Sequence, residues 1–456
     1  MSNLHIRPVP PVNPDYINHH GFWHRLAFEP PELFTINDNP VCDGGYQTTP
    51  HTMYRTHTNC RACAGENLEP AISLGLQPLA NSFRHPNGNH SGYAPLEVLR
   101  CKECGLGQLS VVVDPGWLYR NYLYETSKSE TMVNHMNLII GMIRSRLPLN
   151  REANVMEIGS NDGTFLRLWK SRFPDDRALG IEPSPDLAMR SRNSGIHTLD
   201  FMWDMDCGEY ISKRFDKQDI VVARHVFCHV DSWLEFFQAL QMVVQDECLI
   251  AIEVPYAKRM LERAEYDTIY HEHLSYLTLQ SVKALMDRTD FDLYGFEELP
   301  IHGGSVLLFF RRKNSAIKYE ESALKVAAEY IPLSDWKDCE EKMKQNSQLL
   351  RRRVVELVQQ GKRVAGLGAS AKSTVQCCLS KLGPDLLGRI YDSTVAKIGR
   401  FSPCDIPVVS ETQLAVDMPD YCVCFAWNFR EEILRKNKDY TDRGGRFIFP
   451  PDEIAP

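Results

Sequence analysis

The sequence predicts an α/β protein in three parts: a small metal-binding N-terminal module, a central Rossmann-like domain and a second Rossmann-like domain at the C-terminus. Three observations carry this reading. Two CxxC pairs stand near the start, "CRAC" at residues 60–63 and "CKEC" at residues 101–104. A strand–glycine turn–helix pattern opens in "ANVMEIGSNDGTFLRLW", residues 153–169. The same grammar returns in "RVAGLGASAKSTVQCCL", from Arg363 onward. A chain of 456 residues is too long for one ordinary core, so two or three domains are expected.

Composition bounds the function. Hydrophobic residues at 43% and charged residues at 24% fit a soluble globular protein. A net charge of −8 gives no general attraction to nucleic acid or to an anionic membrane, so neither is an expected partner. No apolar run reaches the ~18 residues needed to span a bilayer. The start lacks the apolar region of a secretory signal, and residues 1–50 carry only Arg7 and Arg25 as basic residues. A cytoplasmic protein, monomer or homodimer, is the expectation. Residues 1–57 read as a partly disordered N-terminal extension rich in Pro, Asn and His.

The first module follows, over residues 58–125. The chain has 14 cysteines, which without a signal peptide point to reduced thiols and metal ligands rather than disulfides. Each CxxC places two thiolates in one tight turn. Cys60, Cys63, Cys101 and Cys104 together complete a tetrahedral zinc shell. Four thiolates leave no position for water, so the Zn²⁺ is expected to be structural. After it, an apolar-periodic helix is predicted near residues 130–147.

The central domain is expected over residues 126–312. Val155, Met156 and Ile158 read as a buried strand, Gly159–Gly163 as a tight loop and Thr164 onward as a helix. The loop is E-x-G-x-x-x-G, from Glu157 to Gly163, rather than the dinucleotide pattern G-x-G-x-x-G. Asp162 inside it would repel a pyrophosphate. A second strand, "RALGIEPS", ends in Glu182, where an acid can accept both ribose hydroxyls. Loop and acid together point to S-adenosylmethionine (SAM). The candidate cofactor residues are Glu157, Gly159, Asn161, Asp162, Gly163, Glu182 and, in the loop after "DIVVAR", His225. "CLIAIEVPY" reads as a further strand. "IYHEHLSY", Ile269–Tyr276, lies just past its carboxyl end, where open α/β sheets place ligands.

Residues 313–456 are expected to form the last domain. Helices rich in Glu, Lys and Arg precede "GLGASAKS", whose Gly366, Gly368 and Lys372 suit an anion such as a nucleotide diphosphate. Two glycine-turn domains imply two ligands, one cofactor and one substrate handle.

These motifs, in this order, resemble the sugar C-methyltransferases of deoxysugar pathways. The resemblance covers residues ~58–455 through the paired CxxC, "LGLQPLANSF", "YLYETS", "EIGSNDGTFL", "GIEPS", "YHEHLSYLTL", "GASAKS" and "AWNFREEI…RGGRFIFP". It implies a zinc-binding N-terminal domain, a SAM-binding central domain and a C-terminal domain that helps hold a nucleotide diphosphate sugar. It implies methylation at carbon 3 of a nucleotide-linked 4-keto-deoxysugar. It assigns His273 as general base, Tyr270 and Glu272 as neighbours that orient base and sugar, and His229 and Tyr124 as further catalytic-site groups. The chain departs from the family in "ARHVFCH", where Arg224 and His225 replace the usual pair, and after Lys372, where the family glycine is missing.

The chemistry of "IYHEHLSY" agrees. A proton alpha to a ketone can be removed to give an enolate that attacks an electrophilic methyl group. The base must be neutral at the operating pH, and an ordinary histidine implies a rate midpoint around ~6–8. Glu272 could fix its tautomer. Tyr124 or Tyr270 could donate to the developing enolate oxygen. His271 is expected at the solvent or behind the base. Two alternatives remain open at this stage: a C-methyltransferase of a non-sugar enolisable metabolite, and a non-catalytic zinc-bearing scaffold.

Overall fold

The computed structural model describes residues 53–450, apart from 89–91, 119–128, 148 and 327–328. Five short strands build the first module: β1 (Tyr54–Thr56), β2 (Leu68–Pro78), β3 (Tyr93–Cys101), β4 (Gly107–Leu109) and β5 (Val111–Val113). β2, β3 and β4 form an antiparallel meander, and β1 pairs with β5 through Tyr54–Val113, Arg55–Val112 and Thr56–Val111. The module therefore begins before residue 57. Residues 1–52, the rest of the expected extension, lie outside the described residues, as does Tyr124.

Helix α1 (Glu130–Arg146) matches the predicted helix. Ser129 caps it by accepting from the Met132 amide, and Met132, Met136, Ile139, Ile140 and Ile143 form its buried stripe. The central sheet uses β6 (Asn154–Ile158), β7 (Arg177–Ile181), β8 (His197–Leu199), β9 (Gln218–Arg224), β10 (Val244–Pro255), β12 (Phe291–Leu299) and β13 (Ser305–Arg312). Between β10 and β12 lies β11 (Ser275–Tyr276). The strand order is β12-β13-β10-β9-β6-β7-β8. β10 to β8 are parallel, and β13 and β12 close one edge antiparallel. Every residue of β9 is buried, as expected for a strand covered on both faces. The order reverses beside β6, so the loops after β6 and β9 flank the ligand crevice of this fold. Helix α2 (Thr164–Arg172) leaves the first of these loops.

The C-terminal sheet repeats the plan. β14 (Val364–Leu367), β15 (Ile390–Asp392), β16 (Val408–Ser410), β17 (Tyr421–Cys424) and β18 (Arg446–Ile448) are all parallel, in the order β16-β15-β14-β17-β18. Its switch point falls between the loops after β14 and β17. Helix α3 (Leu333–Gln359) joins the parts, and helix α4 (Ala371–Leu379) leaves the β14 loop. Trp336, Cys339, Met343, Ser347, Leu350, Val354 and Leu357 recur every three or four residues and form the buried face of α3. Gly107 makes room for the Trp336 ring, which a Cβ there would approach to 2.2 Å. Truncating so large a buried side chain costs about 3–5 kcal/mol. Arg352 and Arg353 lie on the exposed side of α3.

Candidate active site

The zinc residues come together. Cys60 and Cys104 Sγ lie 3.4 Å apart, Cys63 and Cys101 Sγ 3.6 Å apart, and all four sulfurs lie within 4.8 Å of one another. A zinc tetrahedron with Zn–S bonds of ~2.3 Å has sulfur–sulfur edges of about 3.8 Å. The two turns are alike: Ala64 N donates to Cys60 O and Gly105 N to Cys101 O, each at 2.9 Å. Without a cation the thiols oppose one another's ionisation. Hydrogen bonding with Cys101 pushes Cys60 up to about 12, while Cys101 itself is pulled down by its hydrogen bond from Cys104. A dication removes that conflict.

The glycine loop after β6 is shaped for close approach. Gly159 and Gly163 have φ of 69° and 75°, and a Cβ at either would lie 2.2 Å from Val226 or 2.3 Å from Ser191. Glu182, at the end of β7, accepts from the Asn161 amide through Oε2 and from the Ser184 amide through Oε1, each at 2.9 Å. Burial pushes its carboxyl up to about 7. Its oxygens keep lone pairs for ribose hydroxyls, so the residues fit SAM. Asn161 Oδ1 accepts from the Asp162 amide. Asp162 Oδ1 holds the start of α2, accepting from Thr164 N at 3.2 Å and Thr164 Oγ1 at 2.6 Å. Glu157 is fully buried, and its Oε1 pairs with Arg224 Nη2 at 2.8 Å. The unusual Arg224 therefore binds the first acid of the loop motif and stacks on the Phe165 ring at 4.7 Å.

His225 follows Arg224 with φ of 54°. Its Nε2 lies 3.5 Å from Glu253 Oε2, and its ring meets His302 edge-on at 4.7 Å. Glu253 Oε1 also pairs with His135 Nε2 and accepts from Ser305 Oγ, each at 2.7 Å. Against full burial, the His225 and His135 rings hold its carboxyl well below the usual range. Sequence reasoning named His225 as a cofactor residue but missed its partners Glu253, His135 and His302. The cluster's one signal was a glutamate inside the apolar run "CLIAIEVPY".

"IYHEHLSY" lies at the junction of all three parts. β11 joins the sheet of the zinc module by pairing with β4, Ser275 with Gln108 and Tyr276 with Gly107. Asn81 Nδ2 donates to Glu272 Oε1 at 2.9 Å, and His271 Nε2 lies 3.3 Å from Ala94 O. His271 is 1% exposed, so it is packed against the module rather than solvated. Burial pushes Glu272 up to about 6 and His271 down to about 4.

His273 has the geometry of a base. Nδ1 lies 2.8 Å from the Thr268 carbonyl, which can only accept, so Nδ1 carries the proton and Nε2 the lone pair. Tyr270 Oη lies 2.6 Å from Nε2, and its ring lies 3.9 Å from the imidazole. The His229 ring is 5.2 Å away. The tautomer is thus set by Thr268 rather than by Glu272. Burial, then the nearby His229, holds His273 well below an ordinary histidine. A base so placed would give a rate midpoint below that of an ordinary histidine.

Fold, glycine loop and acid define a SAM-dependent methyltransferase, and comparison with known proteins agrees. A "Methyltransferase domain" family matches residues 132–294, a zinc binding domain family residues 60–119 and a "C-methyltransferase C-terminal domain" family residues 300–451. C-methyltransferase NovU of Streptomyces niveus is 29% identical over 409 residues, covering 88% of this chain and 97% of its own. These matches support a SAM-dependent C-methyltransferase with zinc in the Cys₄ site. Among solved structures, the plantazolicin methyltransferase BpumL in complex with SAH is 13% identical, covering 40% of this chain and 86% of its own, with a TM-score of 0.32. The PH0226 protein of Pyrococcus horikoshii OT3 is 12% identical, covering 43% and 98%, also at 0.32. Among the described residues no helix is long and apolar enough to cross a membrane.

Proposed function

We propose that this C-methyltransferase removes a proton alpha to a ketone and methylates that carbon, with carbon 3 of a nucleotide-linked 4-keto-deoxysugar as the substrate position. The observation that carries the reading is the Thr268–His273–Tyr270 array. A buried imidazole with a fixed tautomer has its lone pair held by a phenol and lies 5.2 Å from the ring of His229, in the turn after β9. His273 takes the alpha proton on Nε2. Tyr270 turns its O–H from Nε2 to the ketone oxygen, where negative charge develops. SAM supplies the electrophilic methyl group when bound. Glu182 would hold its ribose, and the glycine loop would lie against the rest of the nucleoside. His229 and Glu272 line the base loop, and Tyr124 is proposed as a further site group. The C-terminal domain would hold the nucleotide end of the substrate.

Incubation with SAM and a panel of thymidine- and uridine-linked 4-ketosugars tests the reading by mass. One added methyl on a ketosugar supports it. Methylation of a non-sugar ketone alone would replace the substrate class, and SAM binding without transfer to any ketone would remove the reaction.

A further inference from the structure

We infer that Asp267 is a positioning residue for the base, held by the ligand crevice of the second Rossmann-like domain. The inference rests on the reading of His273 as the base and extends it.

Asp267 lies in the 3₁₀ turn Tyr266–Thr268, immediately before the base loop, and is 3% exposed. Three groups from the C-terminal domain converge on it. Trp427 Nε1 and Gln376 Nε2 each donate to Oδ2 at 2.6 Å, and Lys372 Nζ lies 3.4 Å from Oδ1. Lys372 also sits over the Trp427 ring, 4.7 Å from its centroid.

The topology gives this meeting its meaning. Lys372 and Gln376 stand on α4, which leaves the β14 loop, and Trp427 stands in the loop after β17. Those loops flank the point where strand order reverses, the place where this fold takes its ligand. The sequence predicts an anion there. The anion the structure supplies is a carboxylate of the central domain. The next residue, Thr268, offers the carbonyl that accepts from His273 Nδ1. Pinning the 266–268 turn therefore fixes the carbonyl, the carbonyl fixes the tautomer, and the tautomer leaves the lone pair on Nε2. The second domain thus acts on the chemistry through a backbone carbonyl.

Full-length enzyme with ¹⁵N-labelled histidine reads the tautomer directly by long-range ¹H–¹⁵N correlation, with His273 assigned by its loss in His273→Asn. Wild type should show one tautomer, protonated at Nδ1. Asp267→Asn removes the charge and one acceptor oxygen, so an amide N–H must face either the two donors or the Lys372 ammonium, and it should give a tautomer mixture. Turnover should fall about 10²-fold, the lower end of general-base contributions, with SAM affinity unchanged. Trp427→Phe keeps the ring and removes one donor, so it should shift the same signal less. It decides the question if Asp267→Asn does not fold. A pure Nδ1–H tautomer and wild-type turnover in a folded Asp267 or Trp427 variant overturns the positioning role. Wild-type turnover in His273→Asn would instead overturn the base, a separate result.

Discussion

The two Rossmann-like units carry one device and use it differently. In the central unit Glu182 ends the second strand, accepting one amide from the glycine loop and one from two residues further on. In the C-terminal unit Asp392 does the same: Oδ2 accepts from Ala369 N and Oδ1 from Thr394 N, each at 2.7 Å. The difference is a cation. Lys397 is buried beside Asp392 and donates to Ala369 O at 2.7 Å, so the second turn has an internal counter-charge. The charge acting on Glu182 is instead Asp162, another acid. On this account the same turn would serve ligand capture where the acid lacks an internal cation, and internal architecture where a lysine stands beside it.

Substitutions at the two acids separate these uses. Asp392→Ala removes two hydrogen bonds to a charged acceptor and should cost about 3 kcal/mol of stability, with SAM affinity unchanged. Denaturant titration and calorimetry read both values. A loss of SAM binding there would erase the distinction between the units. Glu182→Ala should weaken SAM binding by about 1.5–3 kcal/mol, the range for hydrogen bonds to a charged group. Unchanged affinity would place the ribose elsewhere.

The pH dependence of SAM binding is the subtler contrast. Burial raises Glu182 to about 7, so its acid form is favoured in the folded protein below that pH. The ionised form would be the acceptor for ribose. Affinity should therefore fall as pH drops through 7, by about tenfold between pH 8 and pH 6 for one linked proton. Glu182→Gln should flatten the profile. A slope that survives in Glu182→Gln belongs to another group.

Removing residues 1–52 should have the smallest effect. Cutting before Met53 spares β1, whose three residues pair with β5, so SAM binding should be unchanged. A cut at Thr56 would remove most of that strand and should cost stability by melting.

How much the sequence discloses follows the range of the contact. The CxxC pairs, the glycine loops and the acid Glu182 are local spacings, and all are found where spacing puts them. Asp267 was silent because its partners lie 105 to 160 positions away and come from a helix and a loop. The grip of the zinc module on the base loop was equally silent, since a two-residue strand such as Ser275–Tyr276 has no readable period. His271, expected at the solvent or behind the base, is buried with its Nε2 3.3 Å from Ala94 O of the zinc module. Tyr124, placed by resemblance alone, lies outside the described residues.

Proton exchange tests the central claim, His273 as the base, most directly. Wild-type enzyme is given a 4-ketosugar in D₂O with S-adenosylhomocysteine in place of SAM, so that deprotonation occurs without methyl transfer. Deuterium should enter the carbon next to the ketone. The rate should hold steady across neutral pH and fall only in acid, because burial keeps His273 neutral well below an ordinary histidine. In His273→Asn exchange should drop by roughly 10²–10⁴-fold while SAM affinity stays at the wild-type value. Exchange at the wild-type rate in His273→Asn would contradict the account and move the base to His229 or Tyr270.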